Sequence, residues 1–90
     1  MSEKDFTLSV RQLVADYANE HLDVTDEKRI TPNDVFIVWQ CKALQNSKAL
    51  ASTTLPDGMY YEITYNGDKA QFYLDAYKKF ENRCIPCVTD

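Results

Sequence analysis

The sequence predicts a single α+β domain in which an N-terminal helix packs on one face of a three- to four-stranded antiparallel meander. Apolar residues recur at helical spacing near the N-terminus, and the second half of the chain alternates apolar and polar residues around turn-forming pairs. A chain of 90 residues provides enough surface for one core and not for two. The predicted element order is therefore α-β-β-β-β within one domain, residues 1–90.

Residues 5–22 form the predicted helix. Either Ser2 or Asp5 has a side chain suited to cap its start. The face expected to be buried carries side chains three or four residues apart, namely Phe6, Val10, Leu13, Val14, Tyr17 and Ala18.

Residues 23–34 are polar and predict a solvated loop. A calcium-binding loop also needs alternating oxygen ligands and a glycine in the middle of the loop. This segment has only part of the acidic spacing and no glycine, so we reject a calcium site.

Residues 35–44 fit two structures. Their first half is β-branched and aromatic, which favours a strand. Thr31 followed by Pro32 also resembles the start of a helix. We predict a strand, because the turn-forming residues 45–47 and a possible partner strand, residues 48–54, come next.

A second hairpin follows a turn at residues 56–58. Residues 59–65 and 71–77 alternate in the manner of strands, and Asn66-Gly67 between them predicts a tight two-residue turn with positive φ at both positions. All strands are expected within residues 35–80, and residues 81–90 form the predicted C-terminal tail.

Composition narrows the class of protein. The net charge of −4 and the pI of about 4.8 lack the basic excess of a nucleic-acid-binding protein. The N-terminus has no signal-peptide core, and no apolar run is long enough to cross a bilayer. Three cysteines, an odd number, make a poor disulfide framework, so we expect a cytoplasmic protein without membrane contact.

Candidate metal ligands and catalytic groups are sparse. Cys84 and Cys87 have C-x-x-C spacing, but only His21 and Cys41 could complete a zinc site, and structural zinc sites usually show two ligand pairs. Glu62 and Asp75 are a possible carboxylate pair, which would repel if directly opposite unless a lysine flanks it. We expect no metal, no cofactor and no enzymatic activity.

Two segments, Val38 to Leu50 and Asp57 to Lys69, resemble a family of small proteins encoded in phages and prophages of Gram-positive bacteria, a domain of unknown function. The resemblance covers residues 35–83 and is most specific at the Leu44-Gln45-Asn46 turn and at residues 65–69. It implies an origin in mobile DNA and expression in a bacterial host, and it assigns no catalytic residue.

The number of predicted helices and strands indicates which surface is free to bind a partner. One helix covers one face of the sheet, so the second face, with Tyr60, Tyr73 and Tyr77, stays open to a partner. We expect that partner to be a second copy of the chain or a host or phage protein. The alternative is a nucleic acid bound by the tyrosines together with the basic residues Lys78, Lys79 and Arg83.

Overall fold

A computed structural model describes residues 1–22 and 29–88. Its elements are helix α1 (Glu3–Glu20), one turn of 3-10 helix (Pro32–Asp34), and strands β1 (Val35–Ala43), β2 (Asn46–Thr53), β3 (Met59–Asn66) and β4 (Gln71–Lys78). The strands form one antiparallel sheet in the order β1-β2-β3-β4. The predicted α-β-β-β-β order is confirmed.

Helix α1 starts and ends two residues earlier than the predicted 5–22. Ser2 is the cap, because its Oγ accepts a hydrogen bond from the Asp5 amide at 3.1 Å. The buried helix face contains Phe6, Val10, Val14, Ala15 and Ala18, with Leu13 and Tyr17 packed beside it. The helix lies over β1 and β2 and reaches β3, so β4 extends beyond its cover.

Asn19 joins the end of α1 to the segment that precedes β1. Its side-chain amide donates to the Ile30 carbonyl at 2.8 Å, and its Oδ1 accepts from the Ile30 amide at 2.9 Å. The acidic part of the predicted loop, with the rejected calcium interpretation, lies in residues 23–28, outside the described residues.

The helix start and the strand that the sequence indicates around residues 31–44 are both present. Thr31 and Asp34 form a capping box, with the Thr31 amide donating to Asp34 Oδ2 at 2.8 Å. The resulting helix is a single 3-10 turn, because Val35 returns the backbone to an extended conformation with φ −97° and ψ 128°. Residues 32–34, predicted as loop, are therefore helical, and the strand predicted for residues 35–44 is confirmed as β1.

The β1–β2 connection is shorter than predicted, because β2 starts at Asn46 and leaves only Leu44 and Gln45 between the strands. Leu44 takes a positive φ of 57° and its side chain is 91% exposed. A branched, apolar residue in this conformation is unusual, because its Cβ crowds the following carbonyl.

The predicted two-residue turn at Asn66-Gly67 is wrong. Asn66 pairs with Gln71, so four residues, 67–70, make the connection, and the positive φ of 50° belongs to Ala70. Asn66 Oδ1 accepts from the Asp68 and Lys69 amides at 3.1 and 3.3 Å, and these bonds stabilise the longer loop.

Gly67 has a steric role. A Cβ at this position would lie 2.1 Å from the Gln45 carbonyl oxygen, and the Gly67 amide donates to Asn46 Oδ1 at 3.2 Å. The two turns that carry the family resemblance therefore pack against each other at one end of the sheet.

The core lies between α1 and the facing side of the sheet. Tyr61 is its largest fully buried side chain and meets the Tyr17 ring edge-on, with ring centroids 5.6 Å apart. Burial raises the pKa of the Tyr61 phenol above its ordinary value of 10.0, and the Asp57 carboxylate and Tyr17 add to the increase. Ala49, Ala51 and Ile63 complete the floor beneath the helix.

Residues 79–88 follow β4 as a tail without helix or strand. The Lys79 amide donates to the Gly58 carbonyl at 2.8 Å, so strand pairing continues for one step past Lys78. The tail thus begins two residues before the predicted start at residue 81, and every residue in it is exposed.

Candidate protein-binding face

The register places four residues from each strand on the face turned away from α1. Four rows run across the sheet, each read from β1 to β4: Phe36, Ser52, Tyr60, Tyr77; then Trp39, Leu50, Glu62, Asp75; then Cys41, Lys48, Thr64, Tyr73; then Ala43, Asn46, Asn66, Gln71. We call this surface the open face. Tyr60, Tyr73 and Tyr77 all lie on it, as the strand alternation predicts.

A β-bulge places Trp39 on the open face. The register of β1 shifts between Ile37 and Trp39, so that Val38 is the extra residue and Trp39 lies opposite Leu50. Simple alternation from Val35 would have turned Trp39 towards the helix. Gln40 points there instead and accepts a hydrogen bond from Thr7 Oγ1 at 2.9 Å.

Trp39 joins Phe36, Tyr60 and Tyr77 in a cluster at the end of the sheet where the tail leaves. We call these four residues the aromatic patch. Phe36 is 48% exposed, Trp39 43% and Tyr77 51%. Phe36 and Trp39 lie on edge strand β1, and Tyr60 and Tyr77 lie on β3 and β4, with β2 between the two pairs. Half-exposed aromatic side chains combine apolar area with few rotatable bonds, a composition typical of protein interfaces.

Phe36 and Trp39 are not among the site residues predicted from the sequence. The signal that could have found them is the polar pair Gln40 and Lys42, which occupies helix-facing positions in β1. Two polar residues at inward positions after an apolar start indicate that the alternation has slipped by one residue.

Charged residues occupy the middle of the open face. Glu62 and Asp75 are directly opposite each other on β3 and β4, and Lys48 Nζ lies 3.1 Å from Glu62 Oε1. A lysine thus flanks the carboxylate pair, the arrangement that makes such a pair tolerable.

The predicted basic residues are divided between the sheet and the tail. Lys78 lies opposite Met59 on the helix-facing side, whereas Tyr77 is on the open face. Lys79 and Arg83 belong to the tail, and Arg83 pairs with Glu81 at 3.2 Å. Asp75 lies between Tyr73 and Tyr77, and a carboxylate there opposes a phosphate backbone.

The four candidate zinc ligands lie on separate parts of the molecule. His21 follows α1, where its Nδ1 donates to the Tyr17 carbonyl at 2.9 Å and its ring stacks on Tyr17. Cys41 is on the open face, and Cys84 and Cys87 are exposed in the tail. Within residues 1–22 and 29–88, no three histidine, cysteine or acidic side chains form a group able to hold a metal ion.

A shallow depression of about 230 Å³ lies at the end of the sheet opposite the aromatic patch. Cys41, Lys48 and Thr64 are among its lining residues. Pockets that bury a small-molecule ligand usually enclose about 300–1,000 Å³, so this one is too small for such a role.

Together these features define a two-layer α+β domain with a helix on one side of the sheet and an aromatic, charge-bearing face on the other. The chain belongs to the DUF6275 family of unknown function, whose sequence profile matches residues 8–87. The matched residues begin within the helix and end at Cys87, so they include most of the helix and all four strands. Neither curated proteins nor solved structures give a match.

The helix of the described chain is not one that could cross a membrane. Over residues 1–22 and 29–88, no helix is both long and apolar enough to span a bilayer.

Proposed function

We propose that this protein is a non-enzymatic accessory protein that acts by self-association, with the aromatic patch at the centre of the interface. The observation that supports it best is the bulge in β1, which turns Trp39 outward beside Phe36. The bulge leaves the tryptophan side chain exposed in the monomer. Contact with a partner surface would bury this exposed side chain.

Symmetry favours a second copy as the partner. A two-fold interface brings the same patch together with itself, so one surface supplies both sides of the contact. Two sheets packed face to face at about 10 Å would interlock the aromatic side chains of both copies. The Lys48–Glu62 pair lies in the middle of the open face, next to the patch, so charged side chains border the apolar contact on that side.

Trp39 is the one tryptophan of the chain and reports on this interface directly. On dilution of the wild-type protein we expect its fluorescence emission to shift to longer wavelength as the indole becomes solvated. The Phe36→Ser variant should show the solvated emission at all concentrations. Leu8→Ser is the matched control, because it removes an equally exposed apolar side chain from α1.

An emission maximum that does not change with concentration in the wild type, and does not respond to Phe36→Ser, would contradict self-association through the patch. Such a protein would leave the patch free for a foreign partner.

A nucleic acid remains the alternative partner, and salt distinguishes the two. Binding to phosphates weakens steeply as salt is added, because condensed counterions are released, whereas association through apolar surface changes little. Two placements support a protein partner over a nucleic acid. Asp75 lies between Tyr73 and Tyr77, and Lys78 lies on the helix-facing side of the sheet.

The cellular setting is part of the same proposal. The resemblance to phage and prophage proteins is the basis for proposing a phage-type role in the cytoplasm of a bacterial host. The position of the gene among phage structural or regulatory genes in a bacterial chromosome tests this origin.

A further inference from the structure

The C-terminal tail carries apolar side chains that nothing in the described chain covers. Phe80 is 100% exposed, Ile85 77% and Val88 91%. Large apolar side chains are seldom left so exposed along a single short segment unless they bind a partner.

The tail projects away from the domain. Every residue from 79 to 88 is exposed, so no part of the described tail is buried against the rest of the described chain. The Lys79–Gly58 hydrogen bond continues the pairing of β4, so the tail leaves along the strand direction and not across the open face.

The area of the open face indicates that the tail is needed. Strands of about eight residues, four abreast, present roughly 500 Å² per copy, so two faces together cover about 1,000 Å². Stable interfaces usually bury about 1,200–2,000 Å² in total, so the sheets alone fall short of the lower limit. Burying the Phe80 side chain of each copy would add about 150–250 Å² per ring.

Charge supports the same arrangement. The open face carries Glu62 and Asp75 against a single lysine, Lys48, and is net negative. Lys79 and Arg83 place positive charge in the first half of the tail, and Glu81 and Asp90 bring residues 79–90 to no net charge.

We infer that the tail of each copy, residues 79–88, docks along the edge of the other copy's open face, with Phe80 at the margin of the aromatic patch, in a reciprocal two-fold exchange. This inference rests on the proposed self-association and specifies what completes the interface. Exchange of a terminal segment between identical copies is a common route to a dimer, because each copy supplies both the arm and its receptor.

Paramagnetic labelling tests the exchange. A spin label is attached to Cys84 in a Cys41→Ser, Cys87→Ser variant that contains no ¹⁵N. This protein is mixed with a second sample that is enriched in ¹⁵N and carries no spin label. We expect broadening of the Trp39 indole signal and of the Phe36 and Tyr77 amide signals, which only a label on the other copy can cause. Phe80→Ser in the spin-labelled chain should remove the broadening and raise the dimer dissociation constant about 10- to 30-fold.

The intramolecular comparison puts the spin label and ¹⁵N on one chain, diluted into excess unenriched protein. Broadening in that sample alone means that the tail covers its own face, and broadening in neither sample means that it stays free. Either result overturns the exchange. If light scattering still shows a dimer in these samples, self-association stands without tail exchange, whereas a monomer at the same concentration overturns both proposals.

Discussion

Glu62 on β3 lies directly opposite Asp75 on β4, and the two carboxylates share the centre of the open face. Glu62 is balanced by Lys48, whose Nζ is 3.1 Å from its Oε1. Like charges at directly opposed positions destabilise an antiparallel pair. The monomer therefore loses stability at this surface, where the proposed exchange would bring in the basic residues Lys79 and Arg83 of the other copy's tail.

Asp75→Asn should therefore stabilise the isolated monomer. Removing the repulsion from Glu62 is expected to raise the free energy of unfolding by about 0.5 kcal/mol at low salt, and less at high salt because of screening. Urea unfolding at low protein concentration measures it. Asp68→Asn, in the exposed 67–70 loop, is the control, and an equal gain there would show that overall charge and not the Glu62–Asp75 pair is responsible.

Gly67→Ala should be strongly destabilising. The added Cβ would lie 2.1 Å from the Gln45 carbonyl oxygen, so one of the two packed turns must move. We expect a loss of about 2–3 kcal/mol, at the upper end for an overpacked site. Gly58→Ala should lose only about 1 kcal/mol, because its φ of +69° is strained but its nearest neighbour is 4.0 Å away. Equal losses at both glycines would contradict a steric role for Gly67.

Leu44→Gly should stabilise the protein, by relieving the positive φ of 57° at an exposed position. The gain is expected to be about 0.5–1 kcal/mol after the extra backbone entropy of glycine in the unfolded chain. Leu44→Ala keeps a Cβ and should leave the thermal midpoint unchanged. A gain of the same size in Leu44→Ala would show that loss of the exposed side chain, and not the backbone conformation, stabilises the variant.

Tyr61 makes stability depend on alkaline pH. Its pKa is raised in the folded state, chiefly by burial and further by Asp57 and Tyr17. As pH rises above about 10, the unfolded chain loses this proton first, so stability is complete below that pH and falls as pH approaches the folded-state pKa. Tyr61→Phe should lose less stability between pH 9 and pH 11 in urea titrations.

Asp57→Asn offers a second check on Tyr61. It keeps an acceptor for the Met59 amide, which now donates to Asp57 Oδ1 at 3.0 Å, and removes one cause of the raised pKa. We expect a fall in stability above pH 10 that is intermediate between those of the wild type and Tyr61→Phe. A wild-type slope in both variants would mean that Tyr61 does not govern the alkaline range.

Much of the fold could be predicted because local signals agreed with one another. The spacing of Phe6, Val10 and Val14 predicts the buried face of α1, and alternation from Met59 to Tyr77 predicts which tyrosines face outward. The predictions failed where tertiary contacts decide the backbone. Asn66-Gly67 has the composition of a two-residue turn, but Gly67 is required by its contact with Gln45, which is distant in sequence.

The site was predicted only in part, for a similar reason. Strand alternation is enough to place Tyr60, Tyr73 and Tyr77, but Trp39 reaches the open face through a bulge that period-two alternation does not contain. Lys78 was grouped with Tyr77 because they are adjacent in sequence, although adjacent residues of a strand point to opposite sides of the sheet.

The solution mass of the wild-type protein, measured by size exclusion with light scattering over a wide range of concentrations, tests the central claim most directly. Self-association through the aromatic patch predicts a mass approaching twice the 10.4 kDa of one chain at high concentration, and the mass of one chain for a Phe36→Ser, Tyr77→Ser variant. A wild-type mass that stays at one chain throughout would contradict the claim and leave the open face to a foreign partner.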